Sequence, residues 1–220
     1  MKGHLSDTGE VKYKDGDGPR FAVHAQTVDK ILIFATNGRF YTLNPDRLPG
    51  GRGYGEPLRL MIDLPNDADV VQILAHKPGR KLLVASDSGH GFIVEEAETV
   101  AQKKGGKQIL TVPSGCEAKL CRPVPEAADH IAVVGDNRKL LVFPRNELPE
   151  LSKGRGVFLQ RYKDGGLADA KAFKLDDGLT WKINAERTRT ESDLRAWLGK
   201  RATAGRMVPN GFPRKTGFGG

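Results

Sequence analysis

The amino-acid sequence predicts an all-β fold, a propeller-like array of four-stranded blades. Three observations carry that expectation. A hairpin pattern recurs at a spacing close to fifty residues, and a glycine-rich basic cluster follows each copy. The 220 residues also include 27 glycines and 13 prolines, more turn formers than a helix bundle tolerates. With 28% charged and 38% hydrophobic residues the composition is that of a globular domain, not a disordered chain. No apolar run approaches the roughly 18 residues of a membrane span, and the opening MKGHLSDTGEV has no apolar signal segment.

Taken in order, the first stretch, LSDTGEVKYKDGDG, has a turn at Asp7 to Gly9 and strand-like sequence after it, but no apolar strand before it. A hairpin without its first arm points to a fragment, or to a partner strand supplied from elsewhere. KILIFATNGRFYTL (Lys30 to Leu43), RKLLVASDSGHGFIV (Arg80 to Val94) and HIAVVGDNRKLLVF (His130 to Phe143) then each join two apolar, β-branched runs through a short polar turn. Their turn residues Asn37, Ser88 and Asn137 are 51 and 49 residues apart. Between copies lie further strand-like segments, such as ADVVQILA, EAKLCRPV and DAKAFKL, which bring each unit to about four strands. One hairpin leaves its apolar faces uncovered, so neighbouring blades must stack to bury them.

This organisation gives one domain over residues 1–206, with units at roughly 1–52, 53–105, 106–155 and 156–206, and a Gly/Pro-rich basic tail at 207–220 expected to be mobile. The last unit is the least regular. FKLDDGLTWKI reads as a hairpin around Asp176, Asp177 and Gly178, only about 40 residues after the third turn. RTESDLRAWLG reads as a short helix or turn with Thr190 as N-cap and Asp193 three residues on. Phe21, Phe40, Phe92, Phe143 and Phe173 are expected in the blade core, Trp181 in the last blade, and Trp197 as an anchor of the terminal segment.

The net charge of +8 is unevenly spread: from Thr180 onward nine Lys or Arg face three acids, giving +6 in that stretch and only +2 in the first 179 residues. Charge alone reads equally as a nucleic-acid surface or a solvated end. The glycine clusters carry more information. Arg52 lies between Gly51 and Gly53; Lys103, Lys104 and Lys107 surround Gly105 and Gly106; Lys153 and Arg155 alternate with Gly154 and Gly156. A weaker copy holds Lys200, Arg201 and Arg206, and Arg161 follows the third cluster. Glycine lets backbone N–H groups approach a phosphate while Lys and Arg supply countercharge. Such contacts position a duplex without reading its sequence. One cluster is ordinary turn chemistry; recurrence along one edge of successive blades lays out a row of phosphate contacts.

None of the clusters spells a nucleotide-binding loop. His4, His24, His76, His90 and His130 have no metal-ligand spacing, and Cys116 and Cys121 have no second pair. Two thiols make no disulfide framework and fit a reducing compartment. No nucleophile, base and acid can be assembled from the sequence.

KGHLSDTGEVKYKDGDG, GRGVFLQRYKDGGLADAKAFKLDDGLTW and RTRTESDLRAWLGKRATAGRMVPNGFPR carry a specific likeness. Through them the whole chain resembles the C-terminal domain of the A subunit of bacterial DNA topoisomerase IV, a relative of the corresponding domain of gyrase. The resemblance implies a β-pinwheel, a propeller whose neighbouring blades exchange a strand, with about five blades when intact and the first incomplete here. It implies a non-catalytic domain that binds and bends duplex DNA non-specifically on its basic rim. There it would guide the transported segment for ATP-dependent decatenation and relaxation, and so serve chromosome segregation.

Arg52, Lys103, Lys104, Lys107, Lys153, Arg155, Arg161, Lys200, Arg201 and Arg206 are the DNA contacts this implies. The implied partners are duplex DNA, the N-terminal cleavage and religation region of the same polypeptide, and the B subunit of topoisomerase IV, without membrane insertion. ATP and Mg act elsewhere in such a holoenzyme, and no cofactor is expected in this chain. A cytoplasmic, nucleoid-associated location follows. The gyrase signature, close to QRRGGKG, is not spelled out here. QKKGGKQ (Gln102 to Gln108) comes nearest, but it ends in Gln108 and lies in an interior unit, which favours topoisomerase IV over gyrase-type wrapping. A protein-interaction propeller with merely solubilising basic loops is the alternative reading.

Overall fold

The structure, a computed structural model, describes residues 13, 15, 16, 18–50 and 54–219. Each of the three repeated segments forms an antiparallel hairpin: β1 (Ile31–Ala35) with β2 (Arg39–Leu43), β4 (Lys81–Ser86) with β5 (His90–Glu95), and β8 (His130–Gly135) with β9 (Lys139–Pro144). The turn residues Asn37 and Asn137 accept the backbone N–H two positions on, from Arg39 and Lys139. The next position is left-handed in all three hairpins: Gly38 at φ 75°, Gly89 at 84° and Arg138 at 60°. Tight hairpin turns demand that conformation.

A third strand joins the inner side of each hairpin. β3 (Val70–Ala75) pairs with β1, β7 (Ala118–Val124) with β4, and β11 (Leu167–Phe173) with β8. A register shift lies near the end of each pairing, at Phe34/Ala35, Ala85/Ser86 and Leu167/Asp169. Such irregularities increase local twist. β7 and β11 border a cavity of about 510 Å³ whose walls include Gln72 of β3, Lys119, Arg122, Asp169 and Lys171. Arg122 there pairs with Asp169 at 2.9 Å. Burial raises the Asp169 carboxyl pKa against the opposing pull of that cation and of two backbone N–H groups.

The fourth strand comes from further along the chain. β6 (Lys107–Gln108) follows the second hairpin yet pairs with β2 of the first. β10 (Val157–Phe158) follows the third hairpin and pairs with β5. β14 (Arg206–Met207) pairs with β9. The three resulting sheets run β3-β1-β2-β6, β10-β5-β4-β7 and β11-β8-β9-β14, each with an outer strand handed back from later in the chain. This is the strand exchange of a pinwheel. β12 (Leu179–Lys182) and β13 (Thr188–Glu191) form a two-stranded fourth sheet among the described residues. The expected incomplete first arm falls almost entirely outside the described residues.

Burial on both faces explains why the hairpin strands read as continuous apolar runs rather than strict alternations. Leu83, Ala85 and Ile93 of the second sheet share a core with Ile131, Val133 and Phe143 of the third. Their sequence neighbours Leu82, Val84 and Phe92 point the other way, into a core with Leu32, Phe34 and Phe40 of the first. Period two thus sends adjacent residues into different cores. The outer face of the first sheet, with Ile33 and Tyr41, is covered by the loop bearing Ile62, Leu64 and Ala68. Arg59 ties that loop together through the carbonyls of Leu64 and Ala68.

Four local expectations change. Asp176, Asp177 and Gly178 do not close a hairpin: β11 belongs to the third sheet and β12 to the fourth, so this 3-10 turn crosses between blades. The true turn is at Asn184 to Arg187, where Asn184 accepts the N–H groups of Glu186 and Arg187. Asn184 is 47 residues after Asn137, so the period holds. Thr190 is no helix cap but a strand residue paired with Thr180, their hydroxyls 2.7 Å apart, and a turn follows at Leu194 to Trp197. The C-terminal tail is packed: Phe212 and Phe218 are buried with Trp181, and Arg138 donates to the carbonyls of Phe212 and Pro213. Its glycines and prolines shape a folded-back segment. Phe40, Phe92, Phe143 and Phe173 are core, whereas Phe21 is exposed beneath the Arg20 guanidinium.

Candidate nucleic-acid interface

Three of the glycine-rich clusters, those around Gly106, Gly156 and Gly205, lead directly into an exchanged outer strand, and that position governs their geometry. Gly106, Gly156 and Gly205 precede β6, β10 and β14 by one residue, at φ 70°, 76° and 73°. A Cβ at Gly106 would stand 2.7 Å from the Phe40 carbonyl oxygen, and one at Gly205 would stand 2.5 Å from that of Leu140. At Gly156 it would stand 2.5 Å from the carbonyl carbon of Gly91. These glycines let an incoming strand press against the backbone of the neighbouring blade. Gly105 has open space where a side chain would go, and Gly154 nearly so.

The residue after each exchanged strand completes the latch. Ile109, Leu159 and Val208 donate their N–H groups to the carbonyls of the left-handed turn residues Gly38, Gly89 and Arg138 at 3.2, 2.8 and 2.9 Å. The clusters also bond to one another in sequence. Gly154 donates to Ile109 and accepts from Thr111, while Ala202 donates to Leu159 and Thr203 accepts from Arg161. The outer strands and their turns form one hydrogen-bonded rim across three sheets.

The cations on this rim fall into two groups. Lys103, Lys104, Lys153, Arg155, Arg161, Lys200 and Arg206 are exposed, and none takes part in an ion pair among the described residues. Lys107 instead faces Glu98, at 3.4 Å from its carboxylate. Arg201 is a structural clamp: its guanidinium donates to the carbonyls of Glu147 and Phe158, and Glu147 accepts its backbone N–H. Arg52, Gly51 and Gly53 lie outside the described residues. Off the rim, some cations are matched to acids, as Lys81 is by Glu95 and Glu150, while others, such as Lys77, Lys174 and Lys182, are exposed and outside any ion pair among the described residues. What sets the rim apart is the recurrence of such cations beside each exchanged strand.

Sequence reasoning missed the aromatic element of this surface. Phe158 of β10 is 40% exposed, its ring centroid 3.8 Å from that of His90 on β5 and 5.9 Å from the Arg161 guanidinium carbon. Burial, and then the charge of Arg155, hold the His90 pKa below its ordinary value. The available signal was the alternation Val157-Phe158-Leu159, in which Leu159 is buried and its neighbour must face outward.

The described residues contain no group of His, Cys, Asp or Glu arranged to hold a metal ion, and no helix among them is long and apolar enough to cross a membrane. Trp197, as expected, anchors the end of the chain, its indole N–H donating to the Met207 carbonyl at 2.8 Å.

No family model matches the chain. Among known proteins, the A subunit of DNA topoisomerase 4 from Caulobacter vibrioides is 44% identical over 217 residues, 99% of this chain and 28% of that protein. Its counterpart in Rickettsia conorii is 45% identical over 218 residues, 99% of this chain and 29% of its own length. That of Escherichia coli K12 is 34% identical over 178 residues, 81% and 23% of the two chains. The chain thus spans less than a third of the length of these relatives. Among solved structures, the E. coli ParC C-terminal domain superposes with a TM-score of 0.82 at 29% identity, covering 95% of this chain and 88% of that one. A DNA gyrase A C-terminal domain shares the fold, with a TM-score of 0.63 at 15% identity over 84% of this chain and 64% of its own.

Proposed function

We propose that this chain, which belongs to the family of C-terminal domains of the topoisomerase IV A subunit, binds and bends duplex DNA along its basic rim. The observation that supports this is the recurrence of one element. On successive sheets the glycine-rich turn that leads into an outer strand carries exposed cations without acidic partners among the described residues (Lys103 and Lys104, Lys153 and Arg155, Lys200), and these turns are hydrogen-bonded into a continuous edge. Charges fixed along a curved edge favour a bent polyanion, and backbone contacts of this kind carry no sequence information. Within the whole protein such a domain would guide the transported duplex during decatenation and relaxation. It would act beside the N-terminal cleavage region and the B subunit, in the cytoplasm at the nucleoid.

The state of Lys107 supports bending over gyrase-type wrapping. In QKKGGKQ, the segment nearest the gyrase signature, this last lysine is partly offset by Glu98 and so offers a phosphate less net charge than Lys103 or Lys104. The test is a titration of duplex DNA at three salt concentrations, with minicircles of opposite writhe. Affinity should be independent of sequence, and log K should fall against log salt with a slope of about 0.9 per phosphate contacted. A slope near that of a single contact would refute the rim assignment and favour a protein-interaction module.

A further inference from the structure

We propose that Phe158 is an apolar DNA contact at the centre of the rim, entering the minor groove where the duplex bends inward; this rests on the rim reading above. The ring is exposed on a strand only two residues long at the outer edge of the second sheet, where β-sheet edges ordinarily carry charge. It is nonetheless held firmly. His90 supports one side at 3.8 Å, and Arg201 donates to the Phe158 carbonyl. Arg161 lies over the ring, and Arg155, three residues earlier in the chain and exposed, acts through its charge on the same imidazole. The equivalent register positions are Gln108 on the first sheet and Met207 on the third, the latter 58% exposed beside Arg206.

A fixed apolar side chain with the unpaired Arg161 over it and the exposed Arg155 three residues earlier in the chain fits a duplex better than it fits a protein surface. The phosphates meet the cations, while the sugar edges and the floor of the minor groove supply apolar surface between them. Apolar wedges of this type unstack a base step and kink the helix toward the major groove. The contact adds affinity that salt does not screen, and it localises the bend.

The experiment compares the 220-residue chain with Phe158→Ala, Phe158→Leu and Arg155→Glu, measuring affinity at several salt concentrations and bending by energy transfer between the ends of a short duplex. Phe158→Ala should weaken binding roughly five- to tenfold at every salt concentration, given the exposed part of a phenyl ring. It should leave the salt slope unchanged and reduce the bend. Phe158→Leu should restore most of both, and Arg155→Glu should lower the slope. Unchanged affinity and bend in Phe158→Ala, with the parent chain still binding steeply, would overturn this contact alone. A fall in slope with Phe158→Ala would also overturn it, since the ring would then only be ordering Arg155 and Arg161. Failure to assemble with the remainder of the whole protein, with no effect on DNA, would make the patch a protein contact instead. A parent chain without salt-dependent binding would remove the rim reading and this proposal together.

Discussion

Replacing Gly156 by alanine tests the claim that the cluster glycines serve strand exchange. The new Cβ would sit 2.5 Å from the Gly91 carbonyl carbon and 2.9 Å from a Phe92 ring carbon, at a φ of 76°. Left-handed backbone costs a non-glycine residue about 1–2 kcal/mol, and forcing atoms into a packed contact adds about 1–3 kcal/mol. The narrowed unfolded ensemble returns about 0.4–1 kcal/mol. A net destabilisation of roughly 1–5 kcal/mol follows, equivalent to about 2–20 °C in Tm for a chain of this size. Gly105→Ala is the control, because that glycine faces open space. Denaturant and thermal unfolding of both variants should separate them, with Gly105→Ala close to the parent. Equal stability of Gly156→Ala and the parent would refute the latch. If DNA affinity fell at the same time, the glycine would be a phosphate-approach residue after all.

Further outcomes can be measured on the same chain. Lys103→Glu and Lys104→Glu should weaken binding to every duplex alike and lower the salt slope by about 0.9 for each phosphate no longer held, whereas Lys107→Glu should weaken binding through the same change of charge but lower the slope less, because Glu98 already pairs with that ammonium. Phe218→Ala should cost about 3–5 kcal/mol and red-shift tryptophan emission, since Phe218 packs through Phe212 onto Trp181; a parent-like Tm would mean that the tail is not part of the core. Burial and Arg155 depress the His90 pKa below 6.5, so its stabilising contribution is complete above pH 6.5 and is lost as pH falls through the folded-state value. His90→Gln should therefore flatten the acid side of the stability profile measured by urea unfolding, and an unchanged profile would refute it.

Much of the architecture was legible because its determinants are local. Hairpins announce themselves by apolar runs around Asn37, Ser88 and Asn137, and a fixed period implies stacked, identical units. The basic glycine clusters were visible for the same reason, and all but the one at Arg52 lie on a common rim in the described residues. What was not legible depended on partners distant in sequence or on the path between them. Lys107 and Glu98, nine residues apart, form a pair only because the turn at Lys103 to Gly106 folds the chain back between them. Arg201 became a clamp only because Glu147 and the Phe158 carbonyl meet it across the rim.

The Asp176-Asp177-Gly178 turn shows the same limit from the side of topology. Its residues favour a reversal, and a reversal is present, but whether the flanking strands pair with each other is a contest between alternatives. β11 matches the inner edge of β8 over its length and leaves β12 to the next sheet. Likewise, Gly106, Gly156 and Gly205 advertise conformational freedom in the sequence without saying which backbone will press against them. Period, turn chemistry and charge excess are properties of neighbouring residues, and so the sequence by itself determined the repeat, its strand content and its basic edge. Strand exchange, the packed tail, and the division of cations into paired and free were decided by the tertiary structure. Each is settled by which of several chemically similar surfaces lies within a few ångströms once the blades have stacked.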